Sequence, residues 1–97
     1  MSFPARAAYS ISKAAVIQVT RAIAADYGHL GIRSVALCPT HWRLSQPKLR
    51  EEVLARIPQR TIGAVSDIVG AVAFFASDEA RYCNGAAIAI DGGYSAI

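Results

Sequence analysis

The sequence predicts an α/β layer fold, and three observations carry that expectation. Residues 8 to 28 contain no Pro or Gly before Gly28 and are dense in alanine, as a long helix would be. Two short runs, "GIRSVALCP" from Gly31 and "AAIAI" at 86–90, are nearly continuous in apolar residues and end in turn formers. Between them lie two more stretches with helical spacing. Helix, strand, helix, helix, strand is the order of a fold whose helices cover a parallel sheet.

In the first helix, Ala15, Val19, Ala22 and Ile23 are spaced to form one apolar stripe. About 20 residues make a rod of roughly 30 Å, and Gly28 is expected to cap its C-terminus. Its alanines, Ala14, Ala15, Ala22, Ala24 and Ala25, suit close approach of a neighbouring helix or sheet, and equally express plain helix propensity. The run through Ile32, Val35, Ala36, Leu37 and Cys38 reads as a strand buried on both faces, stopped by Pro39. An irregular stretch, "PTHWRLSQP", follows between Pro39 and Pro47 and is long enough to be a functional loop. A short helix over 48–56 is stopped by Pro58. Ser66 and Asp67 open the last helix with a cap oxygen and a negative charge, and Ile68, Val69, Val72, Ala73 and Phe75 give it an apolar face. "SDEARYCNG" is a turn region, and Asp91-Gly92-Gly93-Tyr94 turns the chain after the second strand.

Ninety-seven residues bound the answer to one domain at most. The chain is 54% hydrophobic and 18% charged, against roughly 25% charged in an ordinary soluble domain. That balance suggests elements covered on several sides. The net charge of +3 is scattered, with Lys48 and Arg50 followed at once by Glu51 and Glu52, so no basic stripe points to nucleic acid. Cys38 and Cys83 form no disulfide framework and, with His29 and His41, match no zinc spacing, so no metal is expected and both thiols are expected reduced. No apolar run reaches the roughly 20 residues of a membrane span, and Met1-Ser2-Phe3-Pro4 does not open a signal peptide; a cytoplasmic location without membrane or nucleic-acid partners is the expectation.

Within the first helix, "AAYSISKAA" places a phenol and an ammonium four residues apart, hence on one face. An ammonium at about 4 Å, in an effective dielectric near 20, is worth about 4 kcal/mol to a phenolate, enough to bring a phenol of ordinary pKa about 10 well down toward neutrality. Such a tyrosine is usable as a general acid and base. The same segment is similar to the Tyr-x-x-x-Lys active-site segment of the short-chain dehydrogenase/reductase family. "GIRSVALCP", "SDIVGAVAFFASDEA" and "NGAAIAIDGGY" follow in the family's order and spacing, so the resemblance covers nearly all of the chain.

The resemblance implies the C-terminal part of a Rossmann-type doubly wound parallel sheet, with residues 1–97 a single partial domain that lacks the N-terminal dinucleotide-binding half. It implies oxidoreductase chemistry: NAD(P)-dependent hydride transfer between an alcohol and a carbonyl compound. Tyr9 would protonate the carbonyl oxygen and, with Lys13 at the cofactor ribose and Pro39, would belong to the cofactor-binding residues. Thr40, His41, Trp42, Leu44 and Ser45 would belong to the loop that closes over nicotinamide and substrate. In that loop the chain departs from the family, which usually has Pro-Gly and then a Thr four residues on, against Pro39-Thr40 and Leu44 here; Ser45 is a candidate to replace the hydroxyl. Val35 stands where many members carry Asn, and Val65 and Ser66 where many carry Pro and Glu.

A pyrophosphate is held by a Gly-rich turn at a helix N-terminus, and no G-x-x-x-G-x-G occurs in these residues. The family's catalytic Ser precedes its Tyr by about a dozen residues, beyond Met1 in this numbering. The expectation is therefore a chain that is inactive in isolation. The alternative is a non-catalytic truncated fragment that acts by associating with full-length relatives. With the first strand lacking an inward neighbour, an apolar edge stands open, and self-association, as in oligomeric members of the family, is expected. NAD versus NADP and the identity of the small-molecule substrate are not readable from these residues.

Overall fold

A computed structural model describes residues 6–39 and 47–96. Its elements in order are α1 (Arg6–Tyr27), a 3-10 turn (Gly28–Leu30), β1 (Ala36–Pro39), α2 (Pro47–Arg56), α3 (Val65–Ala76), a second 3-10 turn (Asp78–Ala80), β2 (Ala87–Ile90) and a third (Tyr94–Ala96). The two strands are neighbours in one sheet. Gly85 N–H donates to Ser34 C=O at 2.7 Å and Ala36 N–H to Ala86 C=O at 2.9 Å, so residue numbers rise together along the pair and the pairing is parallel. Parallel neighbours need a long crossover, and α2 and α3 supply it. The chain divides into two compact units, Met1–Ala36 with Arg81–Ala87, and Leu37–Ala80 with Ile88–Ile97.

The first unit is built around α1. The helix runs through Tyr27 without a break and then tightens into the Gly28–Leu30 turn, so the left-handed cap is Gly31, at φ 82°, whose N–H reaches Gly28 C=O at 3.0 Å. The expected cap at Gly28 is thus corrected by three residues, because the chain spends one more turn in 3-10 geometry before it reverses. Thr20 is buried, its hydroxyl bonded back to Val16 C=O at 2.9 Å. The segment before β2 crosses the helix where its side chains are small: a Cβ at Gly85 would lie 3.3 Å from Ala24 Cβ. Asn84 ties this segment to the first strand's approach, its Oδ1 accepting from Ser34 N–H at 2.8 Å.

The expected apolar stripe on α1 is not a buried one. Ala15 and Ala22 are exposed, Ile23 is half-buried, and Val19 and Val16 keep 54% and 56% of their surface. Within its unit α1 has only the residues that follow it, through Ala36, and the Arg81–Ala87 segment to pack on, and most of its described residues stay exposed. For the same reason "GIRSVALCP" is not a strand buried on both faces: regular pairing begins only at Ala36, which is buried, while Leu37 and Cys38 are half-buried and Pro39 is exposed. Cys38 and Cys83 are both half-buried.

The second unit has the tightest packing. Ile57, just past α2, is 1% exposed, and Ala80 is fully buried. Pro58 and Ile57 form the surface on which the glycine turn after β2 rests. A Cβ at Gly92, where φ is 64°, would lie 2.7 Å from Ile57 Cγ2, and one at Gly93 would lie 3.0 Å from Pro58 Cγ. Gln59 N–H closes the contact by donating to Gly92 C=O at 3.1 Å.

The start of α3 differs from expectation. The N-cap is Ala64, not Ser66; Asp67, three residues on, accepts from Ala64 N–H through Oδ2 at 2.7 Å while its own N–H donates to Ala64 C=O at 3.0 Å. This is the carboxylate arm of a capping box, and it makes a hydroxyl at the cap dispensable. The inward stripe of α3 is Ile68, Ala71 and Phe75, all half-buried, whereas Val69 and Val72 face outward. Phe74 and Phe75 meet edge to face, 5.1 Å apart. Ser77 ends the helix with both its N–H and hydroxyl on Phe74 C=O.

The glycine turn provides a stability test. Gly92→Ala places a methyl into Ile57 and forces a positive φ, and is expected to cost about 2–4 kcal/mol; Gly31→Ala, at a similar φ with nothing within 4 Å, costs about 1. Urea midpoints of the two variants measure the difference, and equal losses would show that steric contact contributes nothing.

Candidate active site

Tyr9 and Lys13 lie on the continuous part of α1, one turn apart, so the helix keeps the spacing that the motif requires. Lys13 is exposed on the helix surface and has interactions within the chain. The helix persists because Ala14 and Ala15 follow directly and no β-branched run or Pro intervenes before residue 16. Pro39 is the last residue of β1 and is exposed. A proline there can end pairing without leaving a donor unsatisfied. Thr40, His41, Trp42, Leu44 and Ser45 lie outside the described residues. Tyr9 and Lys13 belong to the first compact unit and Pro39 to the second.

Among the described residues no group of three or more His, Cys, Asp or Glu side chains is placed to hold a metal ion, and no helix is long and apolar enough to cross a membrane. A nicotinamide cofactor is partly matched. The Tyr9-x-x-x-Lys13 register puts one ammonium on the exposed surface of α1. A glycine-rich turn for the pyrophosphate does not occur in the sequence.

The second unit carries a polar cavity of about 420 Å³, walled by Gln59, Thr61, Asp67 and Asp91 with Ile57 and Ile90 behind them. Both carboxylates already serve the backbone. Asp67 caps α3. Asp91 accepts from Gly93 N–H at 3.0 Å and Ser95 N–H at 3.1 Å, which fixes the turn leading out of β2. The Ser95 hydroxyl is the largest influence holding the Asp91 carboxyl below its usual 3.8; burial opposes it, and the Gly93, Ser95 and Tyr94 backbone N–H groups add to the lowering. The sequence shows Asp91 as part of a turn, and the structure assigns it the same structural role.

One charged residue was invisible to sequence reasoning. Arg60 sits at φ 56°, and its guanidinium Nη1 donates to Ala55 C=O and Ile57 C=O, both at 2.8 Å, closing the C-terminus of α2. Pro58 signals the end of that helix, but nothing in the residue types announces that an arginine rather than a glycine or asparagine takes the left-handed position.

The family model described as Enoyl-(Acyl carrier protein) reductase matches residues 1–95. A 2-(R)-hydroxypropyl-CoM dehydrogenase from Xanthobacter autotrophicus is 50% identical over the whole of this chain and 42% of its own length. A 2-(S)-hydroxypropyl-CoM dehydrogenase from the same organism is 38% identical with the same coverage. Among solved structures, 4-hydroxyisoleucine dehydrogenase complexed with NADH superposes with a TM-score of 0.89 at 34% identity, over 100% of this chain and 42% of that one. A gluconate 5-dehydrogenase from Burkholderia cenocepacia, in complex with NADP and tartrate, gives 0.91 at 26% identity, over 100% of this chain and 41% of that one. The chain thus spans about 42% of the length of the curated relatives it matches.

Asp91 has a pH signature. Because its folded pKa is depressed, its contribution to stability is complete above the unfolded value of 3.8 and is lost as pH falls through the lower folded value. Urea midpoints recorded from pH 6 downward are expected to fall in this window, and the fall is shallower in Asp91→Asn. An identical profile in the variant would show that the cap carries no linkage.

Proposed function

The chain belongs to the short-chain dehydrogenase/reductase family as a C-terminal portion of its Rossmann-type fold, and we propose that it supplies the catalytic helix and substrate loop of an NAD(P)-dependent alcohol/carbonyl oxidoreductase. The observation that carries this reading is the Tyr9-x-x-x-Lys13 pair, in helical register, in a chain half identical to a dehydrogenase of 2-(R)-hydroxypropyl-CoM. The substrate class that best fits is a secondary alcohol on a short carbon chain, oxidised to its ketone. The higher identity to the (R) than to the (S) relative, 50% against 38%, supports the (R) configuration.

In this reading Tyr9 takes the alcohol proton during oxidation and returns it during reduction. Lys13 favours the phenolate by its charge and donates hydrogen bonds toward the cofactor ribose. Pro39 closes β1, and in this reading Thr40, His41, Trp42, Leu44 and Ser45 serve the substrate, Trp42 as apolar wall and His41 as polar contact. NAD or NADP, when bound, supplies or accepts the hydride. The serine that orients the carbonyl and the turn that holds the pyrophosphate are outside these residues. The chain alone is therefore inactive in this reading.

A second reading has its own observation. Ile11, Val16 and Val19 on α1 are each more than half exposed, an apolar surface suited to association with a full-length relative or with a second copy. On that reading the fragment acts by docking rather than by catalysis.

A graft distinguishes the two. The chain is exchanged for the matching 42% of 2-(R)-hydroxypropyl-CoM dehydrogenase, and oxidation of that alcohol is followed by NADH absorbance. The chimera is expected to turn over, and Tyr9→Phe to lower kcat about 10²–10⁴-fold while cofactor binding persists. A folded, cofactor-binding chimera without activity would remove the catalytic reading. The isolated chain is expected to give no saturable NAD(P)H fluorescence change at millimolar cofactor.

A further inference from the structure

We propose that Arg56 and Arg60, at the C-terminal end of α2, form a binding site for a phosphate-class oxyanion. The two arginines line one open concavity of about 730 Å³ with Ala55, Pro58 and Tyr94. Its lining contains no carboxylate, so both of its charges are positive. The site lies in the second compact unit and involves neither Tyr9 nor Lys13.

Arg60 is held as a preorganised donor. Among the described residues it is the one non-glycine with positive φ, at 56°. A side chain in that conformation is sustained by its surroundings, and such outliers concentrate where a group must be aimed. The surroundings here are explicit. Arg60 N–H donates to Ile57 C=O at 2.8 Å, and Nη1 spends its two hydrogens on Ala55 and Ile57 carbonyls. Those bonds fix the guanidinium plane. They leave Nε–H and Nη2–H, the pair of parallel donors that matches two oxygens of one phosphate.

The floor under this fork is rigid. Ile57 is buried, and Pro58 lies against the Gly93 backbone, so the loop from 57 to 60 cannot retreat easily. Arg56 adds a second guanidinium on the rim, and no hydrogen bond or ion pair within the described chain engages it. The neighbouring Glu52, one turn back on α2, does not pair with it. Pro58 and Tyr94 complete the wall of the concavity beside the two guanidinium groups. The Ala55 carbonyl in α2 and the Ile57 carbonyl just past it, whose partial negative charge would repel an anion, both accept from Arg60. A free phosphate and a phosphoryl group on a small organic molecule offer this fork the same oxygens.

The test is titration of the full chain with inorganic phosphate and, separately, with a monoalkyl phosphate, at constant ionic strength with chloride as control, read on the arginine Nε–H signals by NMR. A saturable shift of Arg60 Nε–H with phosphate and none with chloride is expected. A response to the monoalkyl ester of equal strength assigns the site to phosphoryl groups generally, and a response to phosphate alone assigns it to the free ion. Arg56→Gln is expected to weaken binding about 10-fold, as loss of one charge-assisted bond does. Arg60→Gly relieves the backbone and should abolish binding; if it also unfolds the chain, Arg60→Lys decides, because it keeps charge without the fork and should bind about 10-fold more weakly. Equal responses to chloride and phosphate, or unchanged affinity in Arg56→Gln and Arg60→Lys, would overturn the proposal.

Discussion

There is no room for a side chain at residue 92, and much of the second unit is organised by that fact. The turn after β2 approaches Ile57 so closely that only a glycine fits, and the approach is what lets Gln59 N–H find Gly92 C=O. From that contact outward, Ile57 is sealed, Pro58 is pressed against Gly93, and the chain leaving α2 must reverse within three residues. The left-handed backbone of Arg60 is one result, since reversal needs a positive φ and the sequence places no glycine there. The Asp91 carboxylate is another, gathering the N–H groups that the turn would otherwise leave unpartnered.

The sequence was legible where local chemistry decides the outcome. The order of helices and strands, the stop at Pro58, the turn at Asp91-Gly92-Gly93 and the acidic start of α3 all rest on residues that act within a few positions of themselves. Burial was less legible. Val19 and Val69 have the right spacing for a core, but spacing gives a face and not what covers it, and in this chain both stay exposed. The caps shifted for a related reason: Gly28 and Ser66 are suitable residues, yet the 3-10 turn at Gly28–Leu30 and the reach of Asp67 back to Ala64 solved the same hydrogen-bonding problem elsewhere. Arg60 was legible in neither sense, because its conformation is imposed by a turn more than 30 residues away in sequence.

The Tyr9-x-x-x-Lys13 register is a local feature, a spacing of four along one helix. The continuous helix keeps the two residues a turn apart in a chain whose α1 is largely exposed. The family relationship accounts for the register as inherited, and this chain spans about 42% of the relatives' length.

The parallel pairing at the start of the sheet also bears on how the protein ages. Asn84 precedes Gly85, a dipeptide prone to cyclise when the glycine nitrogen attacks the amide carbon and releases ammonia. In the folded chain that nitrogen donates to Ser34 C=O at 2.7 Å, and the Asn84 side chain is held by Ser34 N–H at 2.8 Å. The attacking atom and its target are each engaged with the same residue. Opening of this strand pair therefore exposes a chemical clock: deamidation at Asn84 would record the time the chain has spent unpaired there.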